Sequence, residues 1–221
     1  VLSRWAKTLK LPSETVYLFN FTASHDGIGI RPLEGILDKA ELDDLIQIVK
    51  KNGGDVSYKK NIDGADSPYE LNITWYSAIN RDDSDEPREI KMKRYLASRS
   101  IALVIMGVPG IYLHGLLGSK NDADAVIEEG HTRSINRKAI RKRELLAEME
   151  NTDSNIFRIA SSITRLVHYR IKEKCFHPNA PQTVLSLSEK VFCILRTSED
   201  KLERVIAITS IANQAENLDI D

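Results

Sequence analysis

Apolar positions along this chain recur at two spacings, helical over most of its length and strand-like near its end. Leu42, Leu45, Ile46 and Val49 stand at i, i+3, i+4 and i+7. Asp38 and Glu41 precede this stripe as a capping box and Gly53-Gly54 follow as a stop, so it predicts a capped helix. Residues 1 to 10 read as the end of an earlier helix, and Pro12-Ser13 as a connection. Pro87 suits a first helical turn, Ile90 to Met106 continues as a long core helix, and Gly107-Val108-Pro109-Gly110 ends it. Ile156, Ile159, Ile163, Val167 and Ile171 mark another helix, broken by Pro178 and Pro181. Between these helices, Val16 to Thr22 reads as a strand apolar on both faces, and Ile111-Tyr112-Leu113-His114 as a short buried strand. Alternation of helix and strand implies parallel strands. After Pro181 the pattern changes. Val184 to Leu187, Val191 to Leu195 and Val205 to Thr209, with turns at Ser188-Glu189-Lys190 and Ser198 to Lys201, predict a small antiparallel sheet. The polar stretch from Asn61 to Asn80, which holds Tyr69-Glu70-Leu71-Asn72 and Trp75-Tyr76, reads as a long loop forming a binding wall.

Composition narrows the function. With 221 residues, 42% of them hydrophobic, the chain can bury a sizeable core in one large or two small domains. A net charge of −1 gives no whole-chain field for nucleic acid or an anionic membrane, so a charged ligand must be held by a local cluster, and a small-molecule partner is expected. Cys175 and Cys193 are too few for a disulfide scaffold, and no His or Cys stands at metal-ligand spacing, so buried thiols in a reducing cytoplasm and no metal site are expected. The longest apolar run, Ile101 to Leu117, is cut by glycines, Pro109 and His114, and no membrane span is expected. Starting at Val1 without a signal peptide, the sequence reads as a chain entered in mid-domain.

Chemistry concentrates where the first predicted strand stops. Phe19-Asn20-Phe21-Thr22-Ala23-Ser24 runs into His25-Asp26-Gly27, which delivers an imidazole and a carboxylate to the rim of a sheet, where open α/β folds place ligands. By themselves such residues are as often turn and cap groups as functional ones. Further along, Arg133, Arg137, Lys138, Arg141, Lys142 and Arg143 form a basic run. Glu144, Glu148 and Glu150 follow it and dilute its field, which disfavours a nucleic-acid patch.

Four segments in order, Phe21 to Gly29, Gly107 to Tyr112, Gly118-Ser119-Lys120-Asn121-Asp122 and Ser134-Ile135-Asn136-Arg137, resemble the sucrose-phosphorylase-like branch of glycoside hydrolase family 13 over nearly the whole chain. Within that branch, Ser67 to Asn72 and the region from Ser119 to Arg137 are more similar to the glucosylglycerate-specific members. The resemblance implies an α/β fold, the C-terminal part of a (β/α)8 TIM barrel from about its sixth helix through its eighth strand over residues 1–177. A C-terminal antiparallel β domain, expected to be incomplete, follows over residues 178–221.

The same resemblance implies a retaining double displacement in which phosphate takes the glucosyl unit from a carboxylate nucleophile, with two carboxyl groups about 5 to 5.5 Å apart. Both are expected before Val1. Asp26 matches the third carboxylate, which stabilises the oxocarbenium-like transition state, and His25 matches an imidazole holding the same sugar. Arg137 matches the arginine that grips the far hydroxyl of the glucosyl unit. Tyr69 and Glu70 align with a tyrosine and a glutamine facing phosphate or acceptor. Ser67, Pro68 and Glu70 depart from the sucrose phosphorylase pattern, which places fructose recognition in question. Glu70 would repel an anionic acceptor unless an arginine stood between them. His114 is expected at the same rim or as a partner of a loop carbonyl, and Asn121-Asp122 as a turn shaping the loop that carries Arg137.

Two functional readings follow. One is the C-terminal part of an α-glucoside phosphorylase acting on a glycerate-like or fructose acceptor, inactive alone, needing no cofactor and using inorganic phosphate as co-substrate. The other is a noncatalytic carbohydrate-binding or interaction fragment. Either is expected to associate with itself or with a missing N-terminal half, because two barrel strands leave open edges.

Overall fold

A computed structural model describes residues 1–215, 217 and 218. Residues 216 and 219–221, part of the expected β domain, lie outside the described residues. In chain order the elements are α1 (Leu2–Thr8), β1 (Phe19–Asn20), β2 (Ile28–Gly29), α2 (Lys39–Lys51), β3 (Asp55–Lys60), β4 (Asp66–Asn72), α3 (Trp75–Ile79), α4 (Arg88–Val104), β5 (Val108–Pro109), α5 (Leu113–Leu117), α6 (Ala123–Glu129), α7 (Lys142–Glu150), α8 (Asn155–Lys172), β6 (Gln182–Leu185), β7 (Val191–Thr197) and β8 (Arg204–Ser210). They form two compact units, one of Val1–Phe21, Leu96–Gly110 and Ser162–Asp221, the other of Thr22–Tyr95 and Ile111–Ser161.

In the first unit the expected antiparallel sheet is present, in the order β6-β7-β8, with Val184 opposite Ile194 and Ile194 opposite Ala207. Its inner face buries Val184, Phe192 and Ile194 against Ala6 of α1 and Ile105, with Trp5, Ile101 and Val104 packed around them. Two buried arginines of this unit, Arg170 and Arg196, bind backbone carbonyls. Arg196 is fully buried and donates to the carbonyls of Val104 (3.0 Å), His177 (2.9 Å) and Ala180 (3.1 Å). Arg170 donates to those of Leu103, Gly107 and Phe176. Carbonyls at the C-terminal end of α4 have no partner within the helix, and these guanidiniums satisfy them where the dipole favours positive charge. Both cysteines are buried and free.

The first unit also corrects two expectations. The strand predicted over Val16 to Thr22 is reduced to β1, and it is not buried on both faces, since Phe19 and Phe21 are 65% and 54% exposed. A parallel strand is enclosed only with neighbours on both sides, and β1 has one among the described residues, β5. That partner lies at Val108–Pro109, inside the segment read as a helix stop, and Ile111 to His114 is not a strand: α5 begins at Leu113. Gly107 makes the early start possible. Its φ is +115°, and a Cβ there would stand 2.5 Å from the Leu18 carbonyl oxygen. The parallel direction itself is as expected, with Phe19 opposite Val108.

The second unit holds α2 with its capping box, in which Asp38 accepts from the Glu41 amide and Glu41 accepts from the Asp38 amide, both at 2.9 Å. Its core is Ile30, Ile46, Val49, Val56, Leu71 and Ile73. The third correction falls here. Asn61 to Asn80 is not an open loop but the turn and second strand of the β3-β4 hairpin, followed by α3. Asp63-Gly64 closes the hairpin, with the Asn61 amide donating to the Ala65 carbonyl at 2.8 Å and the Gly64 amide to that of Asn61. The short β2 pairs with the other edge of β4, Ile28 opposite Leu71 and Gly29 opposite Glu70.

Candidate active site

The site grows from the turn before β2. Ser24 and Gly27 exchange backbone hydrogen bonds at 3.0 and 3.2 Å, and the Asp26 amide donates to the Ser24 hydroxyl at 3.2 Å. Gly27 has a φ of +131°, and a Cβ there would lie 2.3 Å from the Leu71 carbonyl oxygen, so only glycine lets the turn press against β4. The turn therefore projects His25 and Asp26 beside Tyr69 and Glu70.

Arg137 arrives from the end of the 3-10 segment Thr132–Asn136. Its Nη2 donates to Asp26 Oδ1 at 2.9 Å and its Nε to the His25 carbonyl at 3.0 Å, so one guanidinium clamps side chain and backbone of the same turn. The side-chain Nδ2 of Asn136 donates to the Asp26 backbone carbonyl at 3.4 Å, and the Tyr112 hydroxyl donates to the Asn136 backbone carbonyl at 3.0 Å. Burial raises the Tyr112 phenol, with Arg137 acting in the opposite direction. His25 is exposed; its Nε2 lies 3.5 Å from Asp26 Oδ1 and its ring meets the Tyr112 ring at 6.5 Å between centroids.

The sequence left Arg133 unassigned in a basic run, and the structure puts it at the centre. Its Nε and Nη2 donate to Glu70 Oε2 at 3.2 and 2.7 Å, its Nη2 also donates to the Tyr69 hydroxyl at 3.1 Å, and its Nη1 lies 3.4 Å from Asp26 Oδ1. The hydrogen bond to Glu70, helped by that carboxylate's charge, raises the guanidinium further above its already high value. Glu70, Arg133, Asp26 and Arg137 thus alternate in sign, and His25, Asp26, Tyr69, Glu70 and Arg137 fall in one cluster. The signal available in the sequence was Glu70 itself, a carboxylate on the expected acceptor side that calls for an arginine beside it.

Neighbouring residues shape this cluster. The Asp122 backbone N–H donates to the Ile135 carbonyl at 3.1 Å, its side chain caps α6, and Asn121 Oδ1 accepts from the Thr74 amide at 3.0 Å, which ties the Asn121-Asp122 turn to the segment leading to Arg137. His114 is buried on α5, its Nδ1 2.9 Å from the Ser119 hydroxyl and its ring 5.2 Å from that of Tyr112. Among the described residues, no group of three or more His, Cys, Asp or Glu is placed to hold a metal ion.

No protein-family model matches the chain. Curated relatives do. The chain is 38% identical over 212 residues to the glucosylglycerate phosphorylase of Spirochaeta thermophila, covering 96% of this chain and 36% of that protein. It is 36% identical over 199 residues to that of Escherichia coli, covering 90% and 35%. The chain belongs to the sucrose-phosphorylase-like branch of glycoside hydrolase family 13. A crystal structure of sucrose 6F-phosphate phosphorylase from Thermoanaerobacter thermosaccharolyticum superimposes with a TM-score of 0.68 at 23% identity, over 94% of this chain and 41% of that one. The fold of this phosphorylase-family chain is accordingly that of the C-terminal part of a (β/α)8 barrel with its following antiparallel β domain. It spans about a third of the length of the curated relatives it matches.

Proposed function

We propose that the chain forms the C-terminal part of a retaining α-glucoside phosphorylase that moves a glucosyl unit between a small acceptor, glycerate-like or fructose, and phosphate, giving glucose 1-phosphate in the cytoplasm. Residues 1–177 supply the barrel part and 178–221 the β domain. The observation that carries this reading is the clamp of Arg137 on Asp26 and on the carbonyl of His25. In this proposal Asp26 accepts hydrogen bonds from the sugar hydroxyls, and its fixed negative charge favours the transition state in which positive charge develops at the anomeric carbon. Arg137 holds that carboxylate and offers its remaining N–H groups to the far hydroxyl of the ring. His25 touches the same sugar, and Tyr69 and Glu70 stand on the acceptor side. The nucleophile and general acid come from outside these 221 residues, inorganic phosphate is the co-substrate without a further cofactor, and the exposed edge of β1 is covered by the part of the protein that brings them.

The test joins the chain to the region of the Escherichia coli relative that lies outside the match, and assays glucose 1-phosphate release from glucosylglycerate and from sucrose with phosphate. Turnover in the joined protein and none in the chain alone is expected. Sugar binding without turnover would favour the noncatalytic reading instead.

A further inference from the structure

A buried carboxylate on the acceptor side is an unexpected choice for a site that takes an anion, and the resolution lies in what Glu70 touches. Its side chain is 6% exposed and its Oε2 is engaged by Nε and Nη2 of Arg133. A carboxylate so enclosed acts through the guanidinium it holds. Nη2 is further occupied by the Tyr69 hydroxyl. The Nη1 end makes no hydrogen bond among the described residues, lies 3.4 Å from Asp26 Oδ1, and belongs to a side chain 31% exposed. Two N–H donors on a rigid, permanently charged plane are thus fixed in direction and make no hydrogen bond among the described residues, in ion-pair range of the carboxylate assigned to the glucosyl unit. Charge agrees with this. Arg133 and Arg137 offset Asp26 and Glu70, so an approaching oxyanion meets no uncompensated negative charge and finds a guanidinium end whose N–H groups make no hydrogen bond among the described residues.

We propose that Arg133 is the anion-reading residue of this site: its Nη1 end receives an oxyanion, carried by the carboxylate of a glycerate-like acceptor or by inorganic phosphate, while Glu70 and Tyr69 are positioning residues that set the guanidinium in place. This rests on the phosphorylase reading for the identity of the oxyanions, and on the geometry alone for the existence of the site. Glu70 thereby changes role, from a group facing the acceptor to the support of the group that does.

The experiment labels the arginine side chains of the 221-residue chain with nitrogen-15 and follows the Arg133 Nε–H signal, assigned by its loss in Arg133→Lys. D-glycerate, inorganic phosphate and the neutral analogue glycerol are titrated at constant ionic strength. A saturable shift with glycerate, phosphate or both, and none with glycerol, is expected. A shift with glycerate alone assigns the site to the acceptor, and a shift with phosphate alone assigns it to the co-substrate. Glu70→Gln should weaken the anion's affinity about tenfold through loss of the charged support while leaving the far-ultraviolet circular dichroism unchanged. No shift with either anion, or an equal shift with glycerol, would overturn the proposal. The titration needs no turnover, so it can succeed where glucosyl transfer fails, and turnover in the joined protein with no anion response at Arg133 would refute this inference alone.

Discussion

The pairing of Asp26 with Arg137 shows how little of that contact is devoted to stability. Ion pairs this exposed contribute about 0 to 1 kcal/mol, and Asp26 and Arg137 retain side-chain exposures of 39% and 41%. Their arrangement is worth more as orientation, because a carboxylate held by two guanidiniums keeps one direction. His114 is the counter-example. Burial lowers its imidazole below the ordinary value, with Asp122 opposing and Lys138 adding to the fall. A histidine kept neutral in the folded chain stabilises it above about pH 6.5, the unfolded value, and that stability is lost as pH falls from there through the folded value. Thermal melting followed between pH 7.5 and pH 5 should show a decline that is shallower in His114→Gln. An identical slope in both proteins would exclude His114 as its source.

At the scale of elements, the turn before β2 depends on one glycine. Gly27→Ala combines an unfavourable φ with a Cβ driven against the Leu71 carbonyl, so a loss of about 2 to 4 kcal/mol is expected in urea unfolding of the chain. A loss under half a kilocalorie would mean that the turn relaxes freely. Helices α1, α2, α4 and α8 and the β6-β7-β8 sheet were legible in sequence, because α2 carries a full capping box and the late strands carry dense apolar runs between turns, whereas α3 and α5 lie where a loop and a strand were expected. The barrel strands were not. β1 and β5 are two residues long, too short for any periodicity, and β5 hides in a Gly-Val-Pro-Gly segment. The β3-β4 hairpin was missed although Asp63-Gly64 marked it, since β3 is mostly exposed and its Ser57, Lys59 and Lys60 give no apolar alternation. Asp26, His25 and Arg137 were reached through the family resemblance, whereas Arg133 was obscured by the basic residues around it.

Across the whole chain, the candidate site gathers from distant segments, Asp26 and Arg137 being 111 positions apart. Neither unit needs a net field for this, and the charge of −1 leaves recognition to local pairs. The first unit uses its charges differently. Burial, with Arg170 nearby, pulls the Arg196 guanidinium down to about 10, and its N–H groups hold the carbonyls of Val104, His177 and Ala180. Arg196→Met fills the space but strands those carbonyls, so about 2 to 4 kcal/mol should be lost in chemical denaturation. Unchanged stability would show that water or backbone shifts replace it. The cluster around Asp26, on which the proposed sugar chemistry rests, lies wholly in the second unit.

The most direct measurement is turnover of the joined protein carrying Asp26→Asn, which keeps the shape and removes the charge. Release of glucose 1-phosphate should fall by about 10²-fold or more, the scale on which an electrostatic stabiliser is lost, with binding of the sugar changed far less. Turnover equal to that of the unsubstituted protein would contradict the account, because Asp26 would then have no part in stabilising the glucosyl transition state.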